Sequence, residues 1–159
     1  LRLYPGVNSE EETYKEFFNN EFVYIDRIDN WSSGDNFYNF INTMYYSDIV
    51  ISTYSTISVE GCVFDKPLIN INFDGYLKRP ANKTVTRLKE LSHFKHVFDT
   101  GALSNISSEE EFLNTINKYL ENSEFKSDQR KKMIDRVCFK LDGKSSERIV
   151  KSIIQNLNK

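Results

Sequence analysis

Cysteine is scarce in this 159-residue chain, where Cys62 and Cys138 are the whole complement. Neither belongs to a C-x-x-C pair or lies at a cysteine/histidine spacing that zinc requires, so no disulfide framework and no structural metal site is supported. Both read as small buried apolar residues of a reducing compartment. Net charge is scarce as well: 21 basic and 23 acidic residues leave −2, with the two signs mixed along the whole length. There is no basic stripe of the kind that neutralises duplex phosphates, which excludes nucleic acid as the expected partner. No apolar run approaches the roughly 20 residues of a membrane-crossing helix, and no signal peptide is seen, so a soluble protein is expected. Internal repeats and low-complexity segments are missing too.

What is present is an alternation of strand-like and helix-like segments. At this length one domain is expected, burying roughly two thirds of its unfolded surface. Short, turn-flanked, partly β-branched stretches predict strands over 1–4, 22–25, 48–52, 68–72 and 95–98. Ser9 and Glu12 have capping-box spacing and open a first helix. Phe37, Phe40, Ile41, Met44 and Tyr45 fall on one helical face, and a further helix covers 59–64. Ser107 and Glu110 start another helix, with Phe112, Leu113, Ile116 and Leu120 on its apolar side. Met133, Ile134, Val137, Cys138 and Leu141 repeat that pattern. Ser145 or Ser146 caps a last helix that turns Ile149, Val150, Ile153, Ile154 and Leu157 inward. The polar stretch 121–132 joins two C-terminal helices rather than two domains. Central strands that are apolar on both faces imply a doubly wound parallel α/β sheet with helices on each side. Because the first residue is Leu and 1–4 already reads as strand, the chain is expected to start inside a longer protein.

Four hydroxyl residues, Ser52, Thr53, Ser55 and Thr56, crowd between the 48–52 strand and the helix after it. In open parallel sheets ligands bind outside the carboxyl ends of the strands, so this loop lies where a site belongs. A helix start offers unpaired N–H groups to a phosphate, and Ser55 and Thr56 add hydroxyls there. Glu60 follows Thr56 by one turn on the same face, a reach suited to accepting hydrogen bonds from two ribose hydroxyls. Gly61 permits close approach of this helix to its neighbours. The plainer alternative, Ser55 as the N-cap of a core helix and Glu60 as an exposed carboxylate, fits the propensities equally well.

The run S-D-I-V-I-S-T-Y-S-T-I-S-V-E-G-C-V-F-D-K-P-L-I-N-I, from Ser47 to Ile71, resembles the nucleotide-binding segment of the C-terminal domain of GT-B glycosyltransferases. It is similar in particular to bacterial enzymes of surface-carbohydrate synthesis and their relatives, the CDP-glycerol glycerophosphotransferases. The matching positions are Asp48, Ser55, Thr56, Glu60, Lys66 and Pro67. L-R-L-Y-P-G at 1–6 resembles an Arg-x-His-Pro strand end, departing from it at Tyr4, and L-D-G-K-S-S-E-R-I at 141–149 resembles an Asp-Gly-Lys-Ala-Ser-Glu-Arg-Ile ending. The resemblance implies the Rossmann-like half of a GT-B fold, missing its first strand. It implies a nucleoside-diphosphate sugar or CDP-glycerol-like donor, a carbohydrate acceptor, and a catalytic base in a missing N-terminal domain, with no cofactor and no metal. A fragment of this kind is expected to be inactive alone. The full enzyme is expected in the cytoplasm, at the inner face of the membrane, with peripheral membrane association left open.

Other residues complete the candidate set. Arg2 ends the early strand within reach of a phosphate, and His93 borders the donor pocket after the basic loop of Lys78 and Arg79. Thr53, Ser55, Thr56, Glu60, Arg2 and His93 are therefore the expected substrate-binding residues. The pair His93 and His96, at i and i+3, is more often structural than catalytic. Asp142 and Arg148 are placed to form an ion pair before the last helix. Phe and Tyr total 21, and most must serve packing rather than sugar stacking. Two rivals remain: a GT-B fold sugar-nucleotide epimerase, and a non-catalytic flavodoxin-like binding or receiver module. A receiver needs an acidic cluster after its first strand and a Lys after its last, whereas Lys66 and Pro67 precede a strand.

Overall fold

The computed structural model describes residues 14–26, 34–76 and 78–157, apart from the His93 side chain. The chain divides into two compact units, Leu1–Thr43 and Met44–Lys159. Arg2, the expected strand over 1–4 and the helix opened by Ser9 and Glu12 lie outside the described residues.

In the first unit a 3-10 turn at Lys15–Phe17 is followed by a turn rather than by the strand expected over 22–25. Asn20 makes the turn: its carbonyl accepts from Val23 N (3.1 Å) and its Oδ1 accepts from Phe22 N (2.9 Å). That local acceptor competes with strand pairing. Helix α1, Gly34–Tyr46, begins in this unit and ends in the second. Of the apolar face expected on it only Met44 is buried, while Phe37 and Tyr45 are exposed.

The second unit is a three-stranded parallel sheet in the order β1-β2-β3: β1 is Val50–Ser52, β2 Leu68–Ile71 and β3 Leu103–Ile106. Helix α2, Ile57–Val63, crosses from β1 to β2, and α3, Ser92–Phe98, precedes β3. Then come α4 (Glu109–Glu121), α5 (Ser127–Met133), a π turn over Ile134–Cys138, and α6 (Ser145–Leu157). The register sets Val50, Leu68 and Leu103 side by side, then Ile69 beside Ser104, then Ser52, Asn70 and Asn105. Alternate residues face opposite sides, so the first and third of these layers share one face.

That face is covered by α2. A Cβ on Gly61 would stand 2.6 Å from Leu68 Cδ2, so the missing side chain is what lets the helix lie this close. Cys62, fully buried, then meets Met133 of α5. The opposite face is covered by α4, whose Phe112, Ile116 and Tyr119 pack on Ile69 and Ile106, with Tyr119 OH 2.9 Å from Ser104 Oγ. The expected doubly covered parallel sheet is thus observed. Arg130, 1% exposed, ties α5 down by donating to Asp65 Oδ1 (2.6 Å), Phe125 O and Ser123 O.

Several expectations need correcting. The strand placed at 95–98 is helix α3, which buries Phe94 and Val97 at i, i+3 spacing. The strand itself comes later, after a turn at Gly101 (φ 74°). The capping box of α4 sits one residue further on than expected. Ser108 Oγ accepts from Glu111 N (3.2 Å), and Glu111 Oε2 accepts from Ser107 N (2.8 Å). Tyr119 joins Phe112 and Ile116 on the face that meets the core, while Leu113 and Leu120 are exposed. Helix α6 buries nothing: Ile149, Val150, Ile153, Ile154 and Leu157 are all exposed, as is Leu141 before it. The expected Asp142–Arg148 pair is present, with Arg148 Nη1 2.8 Å from both carboxylate oxygens. Arg148 holds the Asp142 carboxyl below its ordinary value.

Candidate functional site

At the carboxyl ends of the strands the sheet changes from apolar to polar within one layer. Asn70, on the central strand and fully buried, organises it. Its Nδ2 donates to Asn105 Oδ1 on β3 (2.8 Å), and its Oδ1 accepts from Tyr54 N in the loop after β1 (2.7 Å). Tyr54 is buried with φ 40°, a left-handed conformation that costs a bulky residue on the order of 1–3 kcal/mol. Its hydroxyl donates to Asn72 Oδ1 beyond β2, and its ring meets Phe94 and Phe98 of α3 edge on. Backbone and hydroxyl are held by β2 and the residue just beyond it, and the ring by α3. The 53–56 loop therefore has a fixed shape, with Thr53 and Thr56 exposed on either side of the buried Tyr54.

The loop also uses up most of the helix start. Ile57 N donates to Ser55 Oγ (3.3 Å), Ser58 N to Ser55 O (3.2 Å) and Val59 N to Thr56 O (2.8 Å). These are three of the four amides that a helix start leaves without an intrahelical partner. Ser55 acts as a local cap, and the phosphate-attracting amides expected there are largely engaged already.

Glu60, one turn into α2, is neither capped nor fully exposed. Its Oε2 is buried without a hydrogen-bond partner among the described residues. Burial raises the carboxyl above its ordinary value, offset in part by its own backbone N–H. The side chain lies toward the π turn, where its charge adds to burial in raising the Cys138 thiol.

A cleft of about 370 Å³ opens beside the loop, lined by Thr53, by Asp74 after β2, and by Arg79, Lys83 and Arg87. The lining segment folds as two 3-10 turns, Ala81–Lys83 and Val85–Glu90, with Thr84 extended between them. Asp74 fastens it to the sheet, since its Oδ1 accepts from Val85 N (2.9 Å) and stands 3.7 Å from Arg79 Nε.

Of the residues expected to bind substrate, Thr53, Ser55 and Thr56 share one loop and Glu60 follows on its helix. Thr53 alone of these lines the cleft. The backbone of His93 lies in α3. Sequence reasoning noted Lys78 and Arg79 as a basic loop but missed Asp74, Lys83 and Arg87. The available signal was the four-residue spacing of Arg79, Lys83 and Arg87 just beyond a strand end.

A parallel sheet covered on both faces, with a polar opening at its carboxyl edge, is a Rossmann-like half-domain of the kind that takes nucleotides. The CDP-glycerol:poly(glycerophosphate) glycerophosphotransferase family model matches residues 26–155, and the chain belongs to that family. Its function is accordingly of the nucleotide-linked glycerophosphotransferase type. Searches of curated proteins and of solved structures return no match. No described helix is long and apolar enough to cross a membrane.

Proposed function

We propose that this chain is the donor-nucleotide-binding half of a transferase that moves glycerol phosphate, or a sugar, from a nucleoside-diphosphate donor to a cell-surface polymer. The observation that carries this reading is Glu60 Oε2, a buried carboxylate oxygen without a hydrogen-bond partner among the described residues. An unmet buried acceptor costs about 1–3 kcal/mol, and more when charged. Such a cost is expected where a ligand supplies the missing donors, and the paired hydroxyls of a ribose match a carboxylate in number and geometry. Family membership and the position of the 53–56 loop at the sheet's carboxyl edge support the same conclusion.

The chemistry asks little else of this half. In glycerophosphate transfer an acceptor hydroxyl attacks the distal phosphorus, the bridging P–O bond breaks, and its electron pair leaves with the nucleoside monophosphate. In sugar transfer the C–O bond breaks instead and the pair leaves with the diphosphate. Either way negative charge grows on the phosphate that stays with the nucleotide, and donors fixed beforehand lower the barrier. Thr53, Ser55 and Thr56 are assigned to that role, and Arg2 and His93 keep the donor-binding role expected of them from the sequence. The acceptor proton passes to a base on an N-terminal domain of the full enzyme, working in the cytoplasm at the inner membrane face. This chain alone transfers nothing.

Calorimetry with CDP and UDP tests the assignment. Glu60→Gln removes the charge while keeping the shape, and should weaken nucleotide binding about ten- to hundredfold. Equal affinity of variant and parent overturns the ribose role.

A further inference from the structure

We propose that the cleft of Arg79, Lys83 and Arg87 is a phosphate subsite, filled by the diphosphate of the donor while the nucleoside lies outside it. The inference rests on the donor-binding assignment above and names the groups that hold its charge. Three cations face one carboxylate in the cleft lining, in a chain whose overall charge is negative. The carboxylate, Asp74, is occupied in holding Val85 N and neighbours Arg79 only loosely, at 3.7 Å. Arg87 donates to the neutral carbonyl of Asn82 (2.6 Å), a bond that fixes its direction without neutralising its charge.

The segment that carries the cations is also held in place. Lys83 N donates to Pro80 O (2.7 Å), Arg87 N to Thr84 O (3.4 Å), and Thr84 Oγ1 to Ala81 O (3.2 Å). These bonds fix the backbone that carries the cations, and the Arg87 guanidinium, oriented by Asn82 O, presents a planar fork suited to the paired oxygens of a phosphate. A cavity of about 370 Å³ is near the low end for small-molecule sites. It has room for two phosphates and their immediate substituent. The start of α2, with its amides engaged in the loop, needs such help. Cations across from Thr53 supply the charge that the helix end does not.

A phosphate in this cleft has two sources, the donor diphosphate or a phosphodiester of the acceptor, and titration of the 159-residue chain separates them. The ligands are inorganic pyrophosphate, CDP, cytidine and glycerol 3-phosphate, at low ionic strength, with the parent, Arg87→Gln, and the triple variant Arg79→Gln/Lys83→Gln/Arg87→Gln. The expected result is about tenfold weaker pyrophosphate and CDP binding in Arg87→Gln and a larger loss in the triple variant. Cytidine binding and the melting temperature should stay unchanged, because these side chains lie at the surface. Glu60→Gln should weaken CDP but not pyrophosphate. Pyrophosphate and CDP binding that ignore all three cations overturns the subsite, and if Glu60→Gln still weakens CDP, the donor-binding assignment survives without it. Glycerol 3-phosphate binding that depends on the cations and is not displaced by CDP also overturns it, giving the cleft to the acceptor.

Discussion

Replacing Asn70 by Leu keeps the volume at the centre of the sheet and removes both polar functions. Asn70 is fully buried, so no water is at hand to replace them. The Tyr54 N–H loses its acceptor at 2.7 Å, and a buried donor left unmet costs about 1–3 kcal/mol. The bond to Asn105 is lost as well, but Asn105 is exposed and its Oδ1 can turn to water, so that bond adds only about 0.5–1 kcal/mol. Two effects offset the loss: added apolar burial, and release of Tyr54 from φ 40° to an ordinary conformation. The net expectation is about 2 kcal/mol of destabilisation, or a melting point about 5–10 °C lower for a unit of this size. Asn105→Ala, which removes only the exposed partner, should cost about 1 kcal/mol or less. Urea unfolding measures both, with the slope watched for any change in compactness. Equal stability of Asn70→Leu and parent, or a loss no greater than that of Asn105→Ala, would refute the view that Asn70 holds the Tyr54 loop in shape.

The pH dependence of Glu60 follows from the direction of its shift. A carboxyl held above its unfolded value favours the protonated folded state. Its contribution is complete below the ordinary value, near 4.5, and is lost as pH rises through the folded value. Glu60→Gln should therefore melt higher than the parent at pH 7, with the gap closing toward pH 4, and a gap independent of pH contradicts the burial argument. At Gly61 an added methyl gains roughly 1 kcal/mol of helix propensity but meets Leu68 Cδ2 at 2.6 Å on a closely packed face. Overpacking costs about 1–3 kcal/mol, so Gly61→Ala should lower stability by about 1 kcal/mol in thermal melts. A stabilised variant would show that α2 has room to lift from the sheet.

The parallel sheet was legible where strand composition and crossover agree. Residues 48–52 hold an unbroken I-V-I run and 68–72 alternate Ile with Asn, the two are separated by one helix, and the structure pairs them as β1 and β2. The third strand was not legible, because L-S-N-I carries two polar residues in four and owes its place to its neighbours. Ser104 meets the Tyr119 hydroxyl, and Asn105 meets Asn70. Composition favours H-F-K-H-V-F as a strand as readily as a helix, and there packing of Phe94 and Phe98 on Tyr54 decides. At the site, the hydroxyl loop and Glu60 could be read from types and spacing. The cleft could not, because Arg79, Lys83 and Arg87 come together only when Asp74 fastens a pair of 3-10 turns to the strand end. Amphipathic periodicity misled at α6, since an apolar stripe records that a face is fit for burial and not what buries it.

The most direct measurement is a titration of the isotopically labelled chain with CDP, followed amide by amide in ¹⁵N–¹H spectra. The account predicts that the largest shifts cluster in two segments far apart in sequence, 53–60 around the hydroxyl loop and Glu60, and 74–87 around the cationic cleft. Shifts centred instead on α6, or spectra unchanged at millimolar CDP, would contradict it.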